Sequence, residues 1–287
     1  MRKYNSIVRY GKPGTPQTLE GNAYIVIQEK IDGANASFKR EGDKVLAFSR
    51  NTELDAENNL RGFYQWVQET IKPETLPENR IFYGEWSAKH KLDYGENHNK
   101  FYLFDVYNET RERYISFPLV GDYAINLGLN LVPVFYHGFF NSLEHIQSFI
   151  GKSMLGEVGE GVVVKNYDYE SKHGDQLFSK FVSDAFAEVA QTKKHNIKDK
   201  ADPLQEFVNS TVTTARVSKL IHKLVDEGLL KEDYSIEDMG TILKSLGSSV
   251  FDDIIKEESD ALFKVVKAKV GRAVPNIVKA VLKEENR

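Results

Sequence analysis

The stretch Glu29-Lys30-Ile31-Asp32-Gly33-Ala34-Asn35 stands where an apolar, β-branched run, Tyr24–Ile31, ends and the chain turns. Gly33 suits a turn because glycine adopts backbone angles that other residues avoid. Lysine is a nucleophile only when its amine is neutral, and the end of a strand can hold that amine rigidly inside a cleft. The stretch therefore indicates either a nucleophilic lysine, Lys30, or simply a lysine beside a hairpin turn.

The pattern Lys-x-Asp-Gly carries little weight alone, since about one chain of this size in twenty would contain it by chance. Each of the segments that follow it also fits a structural role, such as a strand-end salt bridge or a core aromatic ring. Their order along one chain favours a shared site instead. These segments are Phe48-Ser49-Arg50, Phe82-Tyr83-Gly84-Glu85-Trp86, Phe101-Tyr102-Leu103-Phe104-Asp105-Val106, Glu160-Gly161-Val162-Val163-Val164-Lys165 and Phe178-Ser179-Lys180-Phe181.

The first two-thirds of the chain alternate strand-like and helix-like patterns without a regular β-α-β rhythm. This favours an α+β fold over a doubly wound parallel sheet. Besides the strand that ends at Lys30, strands are predicted at Ala34–Arg40, Lys44–Ser49, Arg80–Ser87, Phe101–Tyr107, Gly161–Tyr167 and, more weakly, Gln176–Val182. Helices are predicted at about Leu60–Ile71, Leu119–Leu127 and Leu143–Ile150, the second ended by Gly128.

The pattern changes near residue 190, where a polar, lysine-rich segment, Gln191–Lys200, precedes Pro203 as a linker would. We therefore predict a first domain over residues 1–190 and an all-helical domain over residues 195–287. Its helices are expected at Thr214–Leu230, Ile236–Leu246, Val250–Val270 and Pro275–Glu285. Thr214–Leu230 resembles a winged-helix recognition helix, although periodicity alone favours an ordinary amphipathic helix in which His222 packs rather than binds a ligand.

Composition limits the chemistry without naming it. The chain of 287 residues has no cysteine, which excludes disulfides, thiolate metal sites and cysteine nucleophiles. A net charge of −4 gives no indication of nucleic-acid binding, but a chain with this net charge can still contain a locally basic groove. Neither a secretory signal nor an apolar run of membrane-spanning length is visible, so we expect a cytoplasmic protein, in the host cytoplasm if it is phage-encoded.

Taken together, these motifs resemble the covalent nucleotidyltransferases, which comprise DNA ligases, RNA ligases and messenger-RNA capping enzymes. The resemblance covers roughly residues 25–185 and is strongest to the RNA ligase 2 family, the type that seals nicks in double-stranded RNA. It implies a nucleotidyltransferase (ATP-grasp-like ligase adenylation) domain followed by a small helical domain. A helical tail fits this family, whereas DNA ligases and capping enzymes usually continue with a strand-rich OB domain.

The resemblance also implies roles for the site residues, with Lys30 as the catalytic nucleophile that accepts AMP. Nucleotide contacts are expected from Glu29 and Lys30 in the motif, from Asn35 and Arg50 to phosphate or the RNA end, from Glu85 to the sugar, from Phe104 to adenine, and from Lys165 and Lys180 to the α-phosphate. Glu160 is the expected metal ligand. Two lysines near Lys30 would lower its pKa. The sequence departs from the family at Phe178, where a lysine is usual.

The implied function is that of an ATP-dependent RNA ligase that joins a 3′-hydroxyl to a 5′-phosphate through a lysyl-AMP intermediate. The implied cofactors are ATP and Mg²⁺ or Mn²⁺, and the expected partner of the monomer is nicked or paired RNA. We expect the tail to grip RNA and to be dispensable for AMP transfer to Lys30. A DNA ligase, a capping-type guanylyltransferase and a non-catalytic RNA-binding protein on a ligase-like scaffold remain the alternatives.

Overall fold

The computed structural model describes residues 1–171, 174–183, 186 and 202–285. These residues form two compact units: the first holds the described residues up to 186 together with residues 222–233, and the second holds residues 202–221 and 234–285. The strands are β1 Val8–Arg9, β2 Tyr24–Lys30, β3 Ala34–Glu41, β4 Lys44–Ser49, β5 Arg80–Trp86, β6 Phe101–Asn108, β7 Arg113–Tyr114, β8 Asn130–Leu131, β9 Val134–Phe139, β10 Gly161–Glu170 and β11 Gln176–Val182. The helices are α1 Phe63–Thr70, α2 Phe117–Leu127, α3 Leu143–Gln147, α4 Pro203–Thr211, α5 Thr214–Asp226 and α6 Met239–Glu285.

The first unit contains two sheets that face each other. Sheet A has the strand order β1-β11-β10-β2-β9, and sheet B has the order β4-β3-β5-β6-β7, with β8 beside β6. All neighbours are antiparallel except the pairs β1–β11 and β6–β8. Mixed sheets with helices packed on their outer faces confirm the predicted α+β class, and the predicted strand from Gln176 to Val182 is present as β11.

Three apolar layers follow from the alternation of side chains along these strands. The outer face of sheet B packs against α1 and α2, and Phe38, Phe82 and Leu103 belong to that core. The outer face of sheet A packs against α3 through Ile27 and Val164. The inner faces meet in a third core, which is rich in tyrosine: Tyr4, Val26, Ile81, Tyr83, Tyr107, Tyr114, Val163, Tyr167 and Phe178. We call the space between the two sheets beside Lys30 and Glu85 the cleft.

A buried ion pair crosses this inner core. The ammonium of Lys165 on β10 donates to Asp105 on β6 at 2.7 Å, and both side chains are almost fully shielded from solvent. The same carboxylate accepts hydrogen bonds from the hydroxyls of Tyr4 and Tyr167. Because one partner belongs to each sheet, this cluster fixes sheet A against sheet B at the base of the cleft.

The turn after β2 brings the chain from sheet A to sheet B. Gly33 does not adopt a left-handed conformation, so the expected reason for a glycine is wrong. A Cβ at this position would instead lie 2.5 Å from the carbonyl oxygen of Trp86, so the requirement is space. Since β3 pairs with β5, this close approach sets Ala34 opposite Trp86 and Asn35 opposite Glu85.

The described part of the second unit is helical, as predicted, but its helices are joined differently. The helix α6 continues through both Gly247 and Pro275, which were expected to separate three helices. Gly247 does not take the left-handed conformation that ends many helices. The helix is interrupted at Glu258 instead, which lies 3.8 Å from the fully buried guanidinium of Arg216.

The domain boundary predicted near residue 190 and the linker Gln191–Lys200 lie outside the described residues, except for their flanks. Gly128 ends α2 in a left-handed conformation, as the sequence predicts. Among the described helices, none combines the length and the apolar character needed to cross a membrane.

Phe178 offers a test of the inner core, because its ring is buried against Tyr114 and Tyr167. Truncating a buried phenylalanine leaves a cavity, so Phe178→Ala should lower the free energy of unfolding by about 3–5 kcal/mol. Phe139→Ala is the matched control, because that ring is 63% exposed, and it should cost less than about 1 kcal/mol. Urea denaturation of both variants measures the difference, and equal losses would contradict this account of the core.

Candidate active site

Lys30 lies at the end of β2 and faces Glu160, the residue just before β10. The two strands are antiparallel and pair Lys30 with Gly161, so the lysine and the acid become neighbours across the sheet. The ammonium nitrogen of Lys30 donates to Oε2 of Glu160 at 2.6 Å. The lysine side chain retains 25% exposure while the acid is largely buried. The sequence prediction that both residues share one site is therefore reflected in a direct contact.

The pKa of Lys30 is raised rather than lowered, which corrects the expectation from the sequence. Burial alone would lower this pKa, but the charge and hydrogen bond of Glu160 outweigh it, and Glu85 and Asp32 add to the shift. Beside Glu160, Lys30 is thus an ammonium ion. A neutral, nucleophilic amine requires that Glu160 be neutralised or drawn away.

Lys180 stands on the neighbouring strand β11, opposite Val163 of β10. Its side chain is mostly buried, and its positive charge acts on Glu160, opposing the rise in the pKa of that carboxyl that burial causes. Lys30, Glu160 and Lys180 therefore form one electrostatic group on the inner face of sheet A. We refer to these three residues as the lysine–glutamate group.

Sheet B supplies the opposite wall of the cleft. Asn35 on β3 and Glu85 on β5 pair with each other, and Glu85 is close enough to Lys30 for their charges to interact. Burial raises the pKa of Glu85 to about 8, although the positive charges of Lys30 and His90 oppose this shift. At neutral pH this carboxyl is therefore mostly protonated, and a protonated carboxyl can donate as well as accept a hydrogen bond.

Phe104 marks an irregularity in sheet B. The register between β5 and β6 shifts between Tyr83 and Gly84, so that Phe104 has no partner across the strands and forms a bulge. Its ring lies 4.8 Å from that of Tyr4. Lys165 donates to the carbonyl of Phe104 at 3.0 Å and lies 5.0 Å from the ring centre.

The contacts of Lys165 differ from those that the sequence suggests. Its ammonium is held by Asp105 and by the carbonyl of Phe104, beneath the cleft rather than beside Glu160. Burial lowers the pKa of Lys165, and the negative charge of Asp105 opposes this shift. A contact from Lys165 to a phosphate would require it to leave Asp105. Phe178, paired with Lys165 across the strands, covers its ammonium at 5.4 Å.

Two further predicted residues have their hydrogen bonds outside the lysine–glutamate group. Glu29 precedes Lys30 and therefore points to the opposite side of sheet A, where it accepts hydrogen bonds from the Ser153 hydroxyl and the Met154 amide. Burial raises the pKa of Glu29, and the two hydrogen bonds only partly oppose this shift. Arg50 follows β4 and donates weakly to the hydroxyl of Ser6 at 3.5 Å, near the amino-terminal segment.

A divalent cation would find one buried carboxylate here rather than a complete site. Among the described residues, no three His, Asp or Glu side chains form a cluster that could hold a metal. Magnesium usually keeps several waters and binds through one or two carboxylates together with phosphates of the substrate. Glu160 fits that mode, because it offers a single carboxylate whose partner, Lys30, is partly exposed.

The sequence offered little or no signal for several residues of the site. Asp105 could have been found, because an acid inside an apolar aromatic strand needs a partner. Gln28 could also have been found, since it stands on the same face of β2 as Lys30. Its amide nitrogen is buried with no hydrogen-bond partner among the described residues, and a ligand in the cleft could supply an acceptor. Tyr4 and His90 gave no comparable signal.

His90 joins two acids that are far apart in sequence. Its Nε2 lies 3.2 Å from Asp226 of α5, and its Nδ1 lies 3.7 Å from Asp32, two residues after Lys30. Its ring stacks on that of His222 at 4.6 Å. Arg61 lies 3.6 Å from Asp226. Burial by itself lowers the pKa of His90, but the two acids outweigh it and raise the pKa to about 9.

Comparison with known proteins identifies a matching family model and solved structures of similar fold. The family model described as RNA ligase matches residues 23–182. A mutant of the Naegleria gruberi RNA ligase with ATP and Mn is 21% identical, with a TM-score of 0.51, over 65% of this chain and 57% of that one. A second mutant of that ligase, in its apo form, gives the same values.

At this identity the structural likeness establishes the fold. The chain spans little more than half the length of the Naegleria protein that it matches. No curated protein matches the chain in sequence.

The ion pairs of His90 predict a pH-dependent contribution to stability. Its folded pKa of about 9 exceeds the unfolded value of about 6.5, so the stabilisation is complete below pH 6.5 and is lost as the pH rises through 9. The difference in unfolding free energy between the wild type and His90→Gln should reach about 3 kcal/mol at pH 6 and shrink toward pH 10. An NMR titration of the His90 ring with a midpoint near pH 6.5 would contradict this prediction.

Proposed function

The chain belongs to the RNA ligase family, and we propose that it joins RNA ends in an ATP-dependent reaction with Lys30 as the nucleophile. The observation that carries this proposal is the lysine–glutamate group inside the cleft. A strand-end lysine within 2.6 Å of a buried carboxylate, with a second lysine acting on the same carboxylate, suits transfer of a nucleotide. The substrate and the individual steps below are parts of the proposal.

In the first step, the neutral amine of Lys30 attacks the α-phosphorus of ATP. A nitrogen–phosphorus bond forms, the bond from that phosphorus to the bridging oxygen breaks, and pyrophosphate leaves with its electrons. The amine proton passes to solvent. Before the attack, the ammonium of Lys30 must release to solvent the proton that Glu160 stabilises, so approach of the nucleotide and separation of this ion pair belong to the same step.

Lys180 and Glu85 act on the nucleotide from the two sheets. Lys180 stabilises the negative charge that develops on the α-phosphate, which is the largest requirement of phosphoryl transfer. Glu85, protonated at neutral pH, donates a hydrogen bond to a hydroxyl of the ribose. Phe104 and Gln28 contact the base, while Asn35 and Arg50 hold phosphate or the RNA end.

A divalent cation, Mg²⁺ or Mn²⁺, held by Glu160 would neutralise phosphate charge and favour the neutral form of the neighbouring amine. The residues of this chain do the rest of the positioning. Lys165 remains in its ion pair with Asp105 and fixes the two sheets from below, so its expected contact with the α-phosphate becomes indirect.

The remaining two steps consume the lysyl-AMP. An oxygen of an RNA 5′-phosphate attacks the phosphorus of AMP, the bond to Lys30 breaks, and the amine recovers a proton. A neighbouring 3′-hydroxyl then attacks the 5′-phosphate, AMP leaves, and the hydroxyl proton passes to solvent. We propose nicked or paired RNA as the substrate of a monomer, in the manner of the RNA ligase 2 family, with the helical tail as an aid to RNA grip.

Substitution of the nucleophile tests the chemistry directly. Lys30→Ala should abolish labelling of the protein from α-labelled ATP, because no other lysine of the cleft stands at a strand end facing Glu160 among the described residues. The wild-type adduct should be acid-labile and stable in alkali, as a phosphoramide is. Lys44→Ala, at the exposed start of β4, should label like the wild type. Labelling that survives Lys30→Ala would overturn the assignment.

The same assay separates the rival reactions. Labelling from GTP in place of ATP would indicate a capping-type guanylyltransferase. Sealing of nicked DNA in preference to nicked RNA would indicate a DNA ligase. Absence of any covalent nucleotide on the wild-type protein would favour a non-catalytic RNA-binding protein.

Lys180→Ala tests the phosphate contact. Loss of one charged donor to a transition state costs on the order of a hundredfold in rate, so single-turnover AMP transfer should fall by that much even at saturating ATP. Phe178→Ala, two residues away on the same strand, removes no charge and should lower stability more than rate. Rates are compared for the folded fraction of each variant. A larger rate loss for Phe178→Ala would place the phosphate contact elsewhere.

A further inference from the structure

A segment of the chain beyond the proposed nucleotide-binding residues packs within the first unit. Residues 222–233, here called the docked segment, comprise the end of α5 and the residues after it, yet they belong to the same compact unit as both sheets. Leu224, Val225 and Leu230 of this segment are buried. Its polar residues are also engaged, since Glu227 accepts a hydrogen bond from Asn51. This packing was not expected for an accessory RNA-binding tail.

Asp226 gives the docked segment a connection to the nucleophile. Its carboxylate contacts His90 at 3.2 Å and Arg61 at 3.6 Å, and its side chain is 12% exposed. On its other nitrogen, His90 faces Asp32 at 3.7 Å. An acid from the docked segment and an acid from the Lys30 motif are thus held by one imidazole ring, which is itself 7% exposed.

Asp32 organises the turn that follows Lys30. One of its carboxylate oxygens accepts hydrogen bonds from the backbone amides of Lys91 and Leu92, at 2.8 and 2.9 Å. Its own backbone amide donates to the hydroxyl of Tyr94. These contacts tie the residue two positions after Lys30 to residues 91–94.

The charges around His90 favour a persistent bridge. The groups that face it are Asp32, Asp226, the stacked ring of His222 and, at longer range, Glu85 and Arg61. Burial and the charge of His90 both lower the pKa of His222, so one ring of the stacked pair is charged while the other is neutral. A charged imidazole between two carboxylates is the arrangement in which both nitrogens serve as donors.

We propose that His90 is a positioning residue that ties Asp32 to Asp226, so that the docked segment helps to place Lys30 for AMP transfer. The inference rests on the proposed function, because Lys30 must be the nucleophile for its placement to matter. It departs from the expectation that the tail is dispensable for AMP transfer and serves only to grip RNA.

The test uses the full chain and three single variants, Asp226→Asn, His90→Gln and Asp226→Glu, together with the double variant of the first two. Single-turnover transfer of AMP to Lys30 is measured over a range of ATP concentrations. Asp233→Asn is the matched control, since that acid lies in the docked segment, is 87% exposed and contacts Lys231 rather than His90.

Small misplacements of a reacting group cost up to about a hundredfold in rate, so Asp226→Asn and His90→Gln should each slow AMP transfer at saturating ATP by about tenfold or more. The half-saturating ATP concentration should change little. Because both substitutions break the same bridge, the double variant should be no slower than the worse single variant. Asp226→Glu, which keeps the charge, should restore part of the rate, and Asp233→Asn should match the wild type.

The outcomes separate this inference from its premise. If wild-type protein forms no adduct, the proposed function fails and the inference fails with it. If the wild type labels and Asp226→Asn is equally fast per folded molecule, only the inference is overturned, even where melting temperature has dropped. Rate losses that add fully in the double variant would also overturn it, because they would place the two residues in independent roles.

Discussion

The buried ion pair between Lys165 and Asp105 is the interaction on which the cleft depends. One partner stands on each sheet, and the hydroxyls of Tyr4 and Tyr167 complete the coordination of the carboxylate. Removing one member of such a pair leaves an uncompensated buried charge, which typically costs about 3–5 kcal/mol. Because the pair lies beneath the cleft, it fixes the separation of the walls on which Lys30 and Glu85 stand. A substitution there would disturb the proposed chemistry without touching a nucleotide.

This arrangement explains why Phe178 is compatible with the site. The position pairs with Lys165 across β10 and β11, and the centre of its ring lies 5.4 Å from the ammonium. A lysine at 178 would place a second positive charge beside an ammonium that is already desolvated, whereas an aromatic face is favourable to a cation. The departure from the family pattern and the burial of Lys165 are therefore one feature of the inner core. Lys180, on the same face of β11, is the lysine left to act at Glu160.

The sequence predicted the elements and the pairings of the site better than its electrostatics. Strand alternation and motif order were enough to anticipate β2, β5, β6, β10 and β11, and to bring Lys30 to Glu160. They could not predict that Lys165 turns toward Asp105, since the choice between cleft and core depends on which sheet lies opposite. His90 contacts Asp32 and Asp226, which lie 58 and 136 positions away in the sequence, and no local sequence pattern predicts contacts between residues so far apart. The reversed shift in the pKa of Lys30 has the same origin, because it depends on a neighbour supplied by another strand.

These pKa shifts give the facing walls of the cleft different charges. Glu160 keeps Lys30 charged, while Glu85, on the facing wall, is kept neutral by burial despite the nearby ammonium. A polyanionic nucleotide entering the cleft would compete with Glu160 for Lys30 and Lys180, and a cation on Glu160 would compete with Lys30 for the carboxylate. Both changes weaken the one contact that stabilises the ammonium form, whereas burial, which favours the neutral amine, remains. Under the proposed function, the amine of Lys30 would thus become nucleophilic as the nucleotide enters the cleft.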